Sequence, residues 1–243
     1  MKIELPEKIS TAFIYACMKF GNKEPDAKSL QLIEESSKLI LDTAAPRTVY
    51  KEFSLAFSKE SDEIYIANEK NRLGGQAIVK HLRGCEKCVL MAVTLGQQVD
   101  RLIRRTQITD MAKAMALDAC ASSLIEDLCD QINRQLKVDY QQQRMGLTTR
   151  FSPGYGDLSL EAQEIFSNLL EMEKKIGLTQ SSEHLLLPRK SVTAIIGLHP
   201  LTEQQDGEPM KVKAGREFDA CDICQRKSQC QFRASGGYCG KPQ

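Results

Sequence analysis

The chain has 243 residues, 33 basic against 32 acidic, a formal net charge of +1 and 42% hydrophobic residues. That length and balance fit one folded domain with a short appendage, and they offer no field to gather a phosphate backbone, which speaks against a nucleic-acid partner. The longest apolar runs, 88–95 and 192–198, are too short to span a bilayer, and Met1-Lys2-Ile3-Glu4-Leu5-Pro6 lacks the apolar core and cleavage site of a signal peptide. The expectation is a cytoplasmic protein with no membrane contact.

Residues 8–20 are loosely helical and stop at Gly21. Pro25-Asp26 opens a clearer helix, with Leu30, Ile33, Ser37, Ile40 and Leu41 at three- and four-residue steps, closed by Ala45-Pro46. Val49, Phe53, Leu55 and Phe57 then read as strand, 63–66 as a second strand, and 76–82 as a short helix ending at Gly84. The run 88–94 predicts a buried strand, and 97–105 turns back into helix. The longest helical pattern covers 110–138, with a stripe of Met111, Met115, Ala119, Ser122, Ile125, Cys129, Ile132 and Leu136. After a loop over 146–157, Ser159 is placed to cap a helix running to Lys175, with Leu160, Phe166, Leu169 and Leu170 as its buried side. Stretches 184–187 and 191–198 read as strands, and 202–208 as a hinge. The irregular alternation, with strand pairs that look like hairpin partners, favours an α+β fold over a parallel doubly wound sheet.

The most chemically suggestive stretch is Arg150-Phe151-Ser152-Pro153-Gly154-Tyr155-Gly156-Asp157. Pro153-Gly154 favours a tight turn, and the glycines let backbone groups face a bound molecule. Arg150 supplies a five-donor fork suited to a carboxylate, and Tyr155 a flat face and a hydroxyl. The helix that follows would point free N–H groups back at the loop. Together these could hold a small zwitterion with an aromatic base; the competing reading is a helix-entry turn with a surface arginine.

Arg150-x-Ser-Pro-Gly-Tyr resembles the Arg-x-x-Pro-Gly-Tyr signature in the activation (reactivation) domain of vitamin B12-dependent methionine synthase. Other matches fall in the same order: Ala92-Val93-Thr94-Leu95-Gly96 against a strand ending Ala-Val-Thr-Gly-Gly, the long helix 116–136, Leu170-Glu171-Met172-Glu173-Lys174 followed by Ile176-Gly177-Leu178-Thr179, then Ser191-Val192 and His199-Pro200. The resemblance covers 88–200. It implies a curved antiparallel sheet flanked by helices, binding S-adenosylmethionine in a shallow groove. It implies further that the domain restores inactive cobalamin, using a methyl group from S-adenosylmethionine and an electron from a flavodoxin-like donor. Carried over, Arg150 would hold the ligand carboxylate, and Ser152, Gly154 and Tyr155 would contact the ligand through backbone and ring. The family's acidic residue on the long helix falls at Glu126, with Ser122 as the competing position; Glu126 is also readable as a carboxylate beside the core stripe, held locally. The family's N-terminal aspartate and its tyrosine pair after His-Pro have no counterpart here. No Asp-x-His-x-x-Gly stretch occurs, so the cobalamin would sit on a separate corrinoid-binding methyltransferase protein.

Four of the nine cysteines, Cys221, Cys224, Cys230 and Cys239, form a Cys-x2-Cys-x5-Cys-x8-Cys pattern near the end of the sequence. Four soft thiolates suit zinc or an iron–sulfur cluster, while reduced thiols on a tail are the plainer reading. Residues 1–205 are thus expected to form the activation-domain-like unit and 206–243 a Cys-rich tail. Cys85-x2-Cys88 runs into a buried strand and reads as structural, and His81, His184 and His199 match no ligand spacing. The expected function is an S-adenosylmethionine-binding accessory protein for cobalamin reactivation, acting in trans. The competing reading is a non-catalytic metal-binding or electron-transfer adaptor for a corrinoid protein.

Overall fold

The computed structural model describes residues 3–20, 24–58 and 60–201. Strands β1 (Arg47–Phe57), β2 (Glu63–Ile66), β3 (Arg72–Gly74), β4 (Lys87–Thr94), β5 (Met145–Leu147) and β8 (Ser191–Pro200) form one sheet in the order β3-β2-β1-β4-β8-β5. Strands β6 (Thr179–Gln180) and β7 (Leu186–Leu187) pair separately, and every pairing is antiparallel. The α+β expectation therefore holds.

The centre of the sheet follows from β4, whose residues Cys88 to Thr94 are all buried. A strand apolar on both faces requires a layer on each. Val89, Met91 and Val93, with Ala194, Ile196 and Leu198 of β8, meet the upper layer of helices α1 (Thr11–Cys17), α2 (Ala27–Thr43), α4 (Gln97–Thr109) and α5 (Met111–Gln141). Cys88, Leu90 and Ala92, with Phe53 and Ile195, meet the lower layer of α3 (Gln76–His81), α6 (Gln163–Leu170) and α7 (Met172–Ile176). Asp26 starts α2 by accepting from the Ser29 N–H at 2.7 Å, and Asp110 starts α5 by accepting from Lys113 N–H at 3.0 Å.

Three expectations need correcting. The stripe on α5 begins at Ala114 and Leu117, whereas Met111 and Met115 are 59% and 57% exposed, so the buried face of the first turns is carried by the alanines and Leu117 instead. The helix expected from Ser159 to Lys175 is broken. Ser159 does accept from Glu161 N–H at 3.2 Å, but it caps a single 3-10 turn, 160–162; α6 follows, and Glu171 takes a left-handed conformation at φ 52° before α7. That reversal lets Met172 and Ile176 join Phe166 and Leu170 in the lower core, which one straight helix could not do, and it leaves Leu160 exposed and Leu169 half-buried. Of the strand expected over 184–187, only Leu186–Leu187 pairs.

Candidate functional site

The loop 150–157 is seated by the sheet. Phe151 exchanges both backbone hydrogen bonds with Ile195 of β8, its N–H donating at 3.0 Å and its carbonyl accepting at 2.8 Å. Strand-like alternation then sends neighbouring side chains to opposite faces. Phe151 sinks into the lower core, while Arg150 turns toward α5 in the upper layer.

There the guanidinium meets two carboxylates one helical turn apart, Glu126 at 2.9 Å from Nη2 and Asp130 at 2.8 Å from Nη1. The Arg150 side chain is 14% exposed, against 33% for Glu126 and 41% for Asp130. Burial pushes the Glu126 carboxyl up from its ordinary value, and the Arg150 charge pulls the other way. Arg150 and Glu126, read separately in the sequence, are therefore brought together, and Asp130 joins them unforeseen. Ser122, the competing position, is held elsewhere: Lys190 donates to its Oγ at 2.8 Å and to the Asp118 carbonyl at 3.2 Å, and pairs with the Asp118 carboxylate at 2.9 Å. Asp118, Ser122, Glu126 and Asp130 thus form a polar seam at four-residue steps along one face of α5.

Beyond Phe151 the chain makes the expected tight turn. Tyr155 N–H donates to the Ser152 carbonyl at 3.0 Å, with Pro153 at the second position and Gly154 at φ +89° in the third. A Cβ on Gly154 would also sit 3.0 Å from Leu160 Cδ2. Tyr155 is 51% exposed and rests edge-on against Phe151, ring centroids 6.3 Å apart.

The expectation that the next helix aims free N–H groups at the loop is corrected. Gly154 N–H is spent on the Leu158 carbonyl at 2.8 Å, and the turn at 160–162 is capped by Ser159. The traffic runs the other way: Asp157 accepts from Gln76 N–H at 2.7 Å and Ala77 N–H at 3.1 Å, capping α3. At the other end of α3, His81 Nε2 donates to the Thr149 carbonyl at 2.8 Å, and its ring lies 5.1 Å from that of Phe151. One short helix therefore braces the loop just before Arg150 and just after Gly156. Gly75 leaves room for this, since a Cβ there would lie 2.7 Å from the Asp157 carboxylate. We expect Asp157→Ala to lower stability by about 1–2 kcal/mol, the usual cost of losing a cap, and to speed amide exchange at Gly154 and Tyr155 over exchange in α5. Unchanged exchange there would remove the bracing role.

Two concavities lie away from the loop. One of about 190 Å³ is lined by Cys17, Gln107, Met111, Met115 and Asp118 among others, and one of about 670 Å³ by Ile3, Leu5, Pro46, Arg47 and Lys175 among others. Cys221, Cys224, Cys230 and Cys239 lie outside the described residues, as does the expected boundary at 205. Among the described residues no group of three or more His, Cys, Asp or Glu side chains is gathered to hold a metal, and no helix is long and apolar enough to cross a membrane. Burial pushes the Cys85 and Cys88 thiols up to about 11 and about 12, which suits packing rather than reactivity.

No family model and no curated sequence matches the chain. Among solved structures, the chain is similar to the crystal structure of the MetH reactivation domain bound to AdoHcy, at a TM-score of 0.56 and 15% identity, over 98% of this chain and 90% of that one. The two share a fold.

Proposed function

We propose that this chain binds S-adenosylmethionine at the Arg150 loop and supports, in trans, the reductive remethylation of cobalamin on a methionine synthase or related corrinoid methyltransferase. The observation that carries the reading is Arg150: a guanidinium held largely out of solvent between Glu126 and Asp130, beside a Pro-Gly-Tyr turn braced at both ends. The fold shared with a reactivation domain solved with AdoHcy supports it. In this reading Arg150 and Glu126 take the amino-acid end of the ligand, the backbone of Ser152 and Gly154 lines its path, and Tyr155 offers a ring to the base. The half-exposed Tyr155 fits a shallow groove that a partner would cover. The sulfonium methyl would pass to reduced cobalt on the partner, leaving the thioether. An electron would come from a flavodoxin-like donor, or from an iron–sulfur cluster if the tail cysteines hold one rather than zinc.

Isothermal titration of the full chain with S-adenosylmethionine tests the reading. Binding is expected, with its loss in Arg150→Ala. A silent wild-type titration would favour the rival, an adaptor that kept the fold without the ligand, and metal analysis of anaerobically purified protein would then decide whether the tail is its working part.

A further inference from the structure

Arg150 is outnumbered. Its guanidinium faces Glu126 and Asp130 together, while Asp127 on the same turns of α5 accepts from Ser10 N–H at 3.1 Å and feels the charge of Arg134. Among the described residues two cations, Arg150 and Arg134, thus stand against three carboxylates, Glu126, Asp127 and Asp130, which leaves one excess negative charge among the groups of this node. Farther along the seam Lys190 and Asp118 cancel.

This changes what an arginine in a binding loop attracts. An anionic group arriving alone would meet a guanidinium already compensated twice, beside two fixed carboxylates, so the local field opposes it. The guanidinium still has donors to spare: each Nη is used once in these two bonds, out of five N–H groups in all. A carboxylate can use them if a cation arrives with it to sit against Glu126 and Asp130. An α-amino-acid head supplies both at once. A second positive centre on the same ligand would then meet the remaining excess charge of the node, in a partly desolvated place where screening is weak.

We infer that this node is a charge filter: it selects a ligand of net positive charge, a sulfonium amino acid over its neutral thioether, and Asp130 is the residue that sets the preference. The inference rests on the S-adenosylmethionine reading and adds to it a rule for which form of the ligand stays bound. Bound sulfonium is held, and once the methyl has left, the zwitterionic thioether loses one attraction.

The test titrates the full chain with S-adenosylmethionine and with S-adenosylhomocysteine, in wild type, Asp130→Asn and Glu126→Gln, with thermal unfolding as a control for folding. Wild type is expected to prefer the sulfonium on the order of tenfold, the scale of one charge at short range in a partly screened site. Asp130→Asn is expected to weaken both ligands, since both carry the α-amino group, but the sulfonium more, so that the two affinities fall within about twofold of each other. If Asp130→Asn fails to fold, Glu126→Gln carries the same expectation. Equal wild-type affinities, or a preference that survives in both variants, overturn the filter and leave the binding reading standing. No binding of either ligand to wild type overturns both.

Discussion

Arg150→Leu is expected to abolish S-adenosylmethionine binding and to lower unfolding free energy by about 2–3 kcal/mol. The loss in binding follows from removing the one described cation that faces both carboxylates of the node. The loss in stability has a different origin. Leucine leaves Glu126 and Asp130 one turn apart with no counter-charge, and a carboxylate left unpaired in a partly buried place costs more than the pair was worth. The cost stays below that of a fully buried pair because a third or more of each acidic side chain still reaches solvent. The sign with pH is fixed as well. Burial already raises the Glu126 carboxyl, and Arg150 is what opposes that rise. In the variant the folded state therefore binds the Glu126 proton more readily than the unfolded state does. Its deficit should shrink as pH falls toward the carboxylate range and be full at neutral pH. Urea denaturation at several pH values checks this, and Arg150→Leu/Glu126→Gln should recover part of the loss in a double-mutant cycle. A deficit under about 0.5 kcal/mol, the range of ordinary surface changes, would mean the node does not hold the structure.

Phe166→Ala is expected to cost about 3–5 kcal/mol without touching the proposed ligand site directly. Phe166 is fully buried on α6, in the lower core that also takes Phe151, Leu158, Leu170, Met172 and Ile195. Truncation removes an aromatic ring from beneath the sheet and leaves a cavity that β4 and β8, each pinned by its neighbours, cannot close. The denaturation midpoint should fall with little change in slope. Since the ring stands on the opposite side of the sheet from Arg150, ligand affinity measured where the variant is still folded should fall much less than in Arg150→Leu. A Phe166→Ala protein of near wild-type stability would contradict the packing described here.

Much of the fold can be read from local pattern. The run 88–94 is apolar on both sides and becomes the central strand, and Asp26 and Asp110 mark helix starts by side-chain chemistry that acts within three residues. What escapes local reading depends on distance. Strands β3 and β5 have three residues each, too few to show alternation, and exist because longer neighbours offer them an edge. The break at Glu171 is imposed by the lower core rather than by a helix-breaking residue. At the site, the Arg-x-x-Pro-Gly-Tyr resemblance pointed to Arg150 and Glu126, which do meet. The recurrence of Asp118, Glu126 and Asp130 at helical steps was a visible signal for the third acid. The brace was not visible: Asp157 and the N–H groups it caps are about eighty residues apart, and no periodicity links them.

Arg150 and Phe151 leave the backbone in opposite directions, one to Glu126 and Asp130 on α5 and one to the lower core. Repacking around Phe151 would tilt the peptide that carries the guanidinium, so, if the node binds as proposed, conservative aliphatic exchanges beneath the sheet would retune affinity while the proposed ligand contacts stay the same. Under the proposed function, lineages could thereby adjust how long the nucleoside is retained by drift in a layer on the far side of the sheet from Arg150.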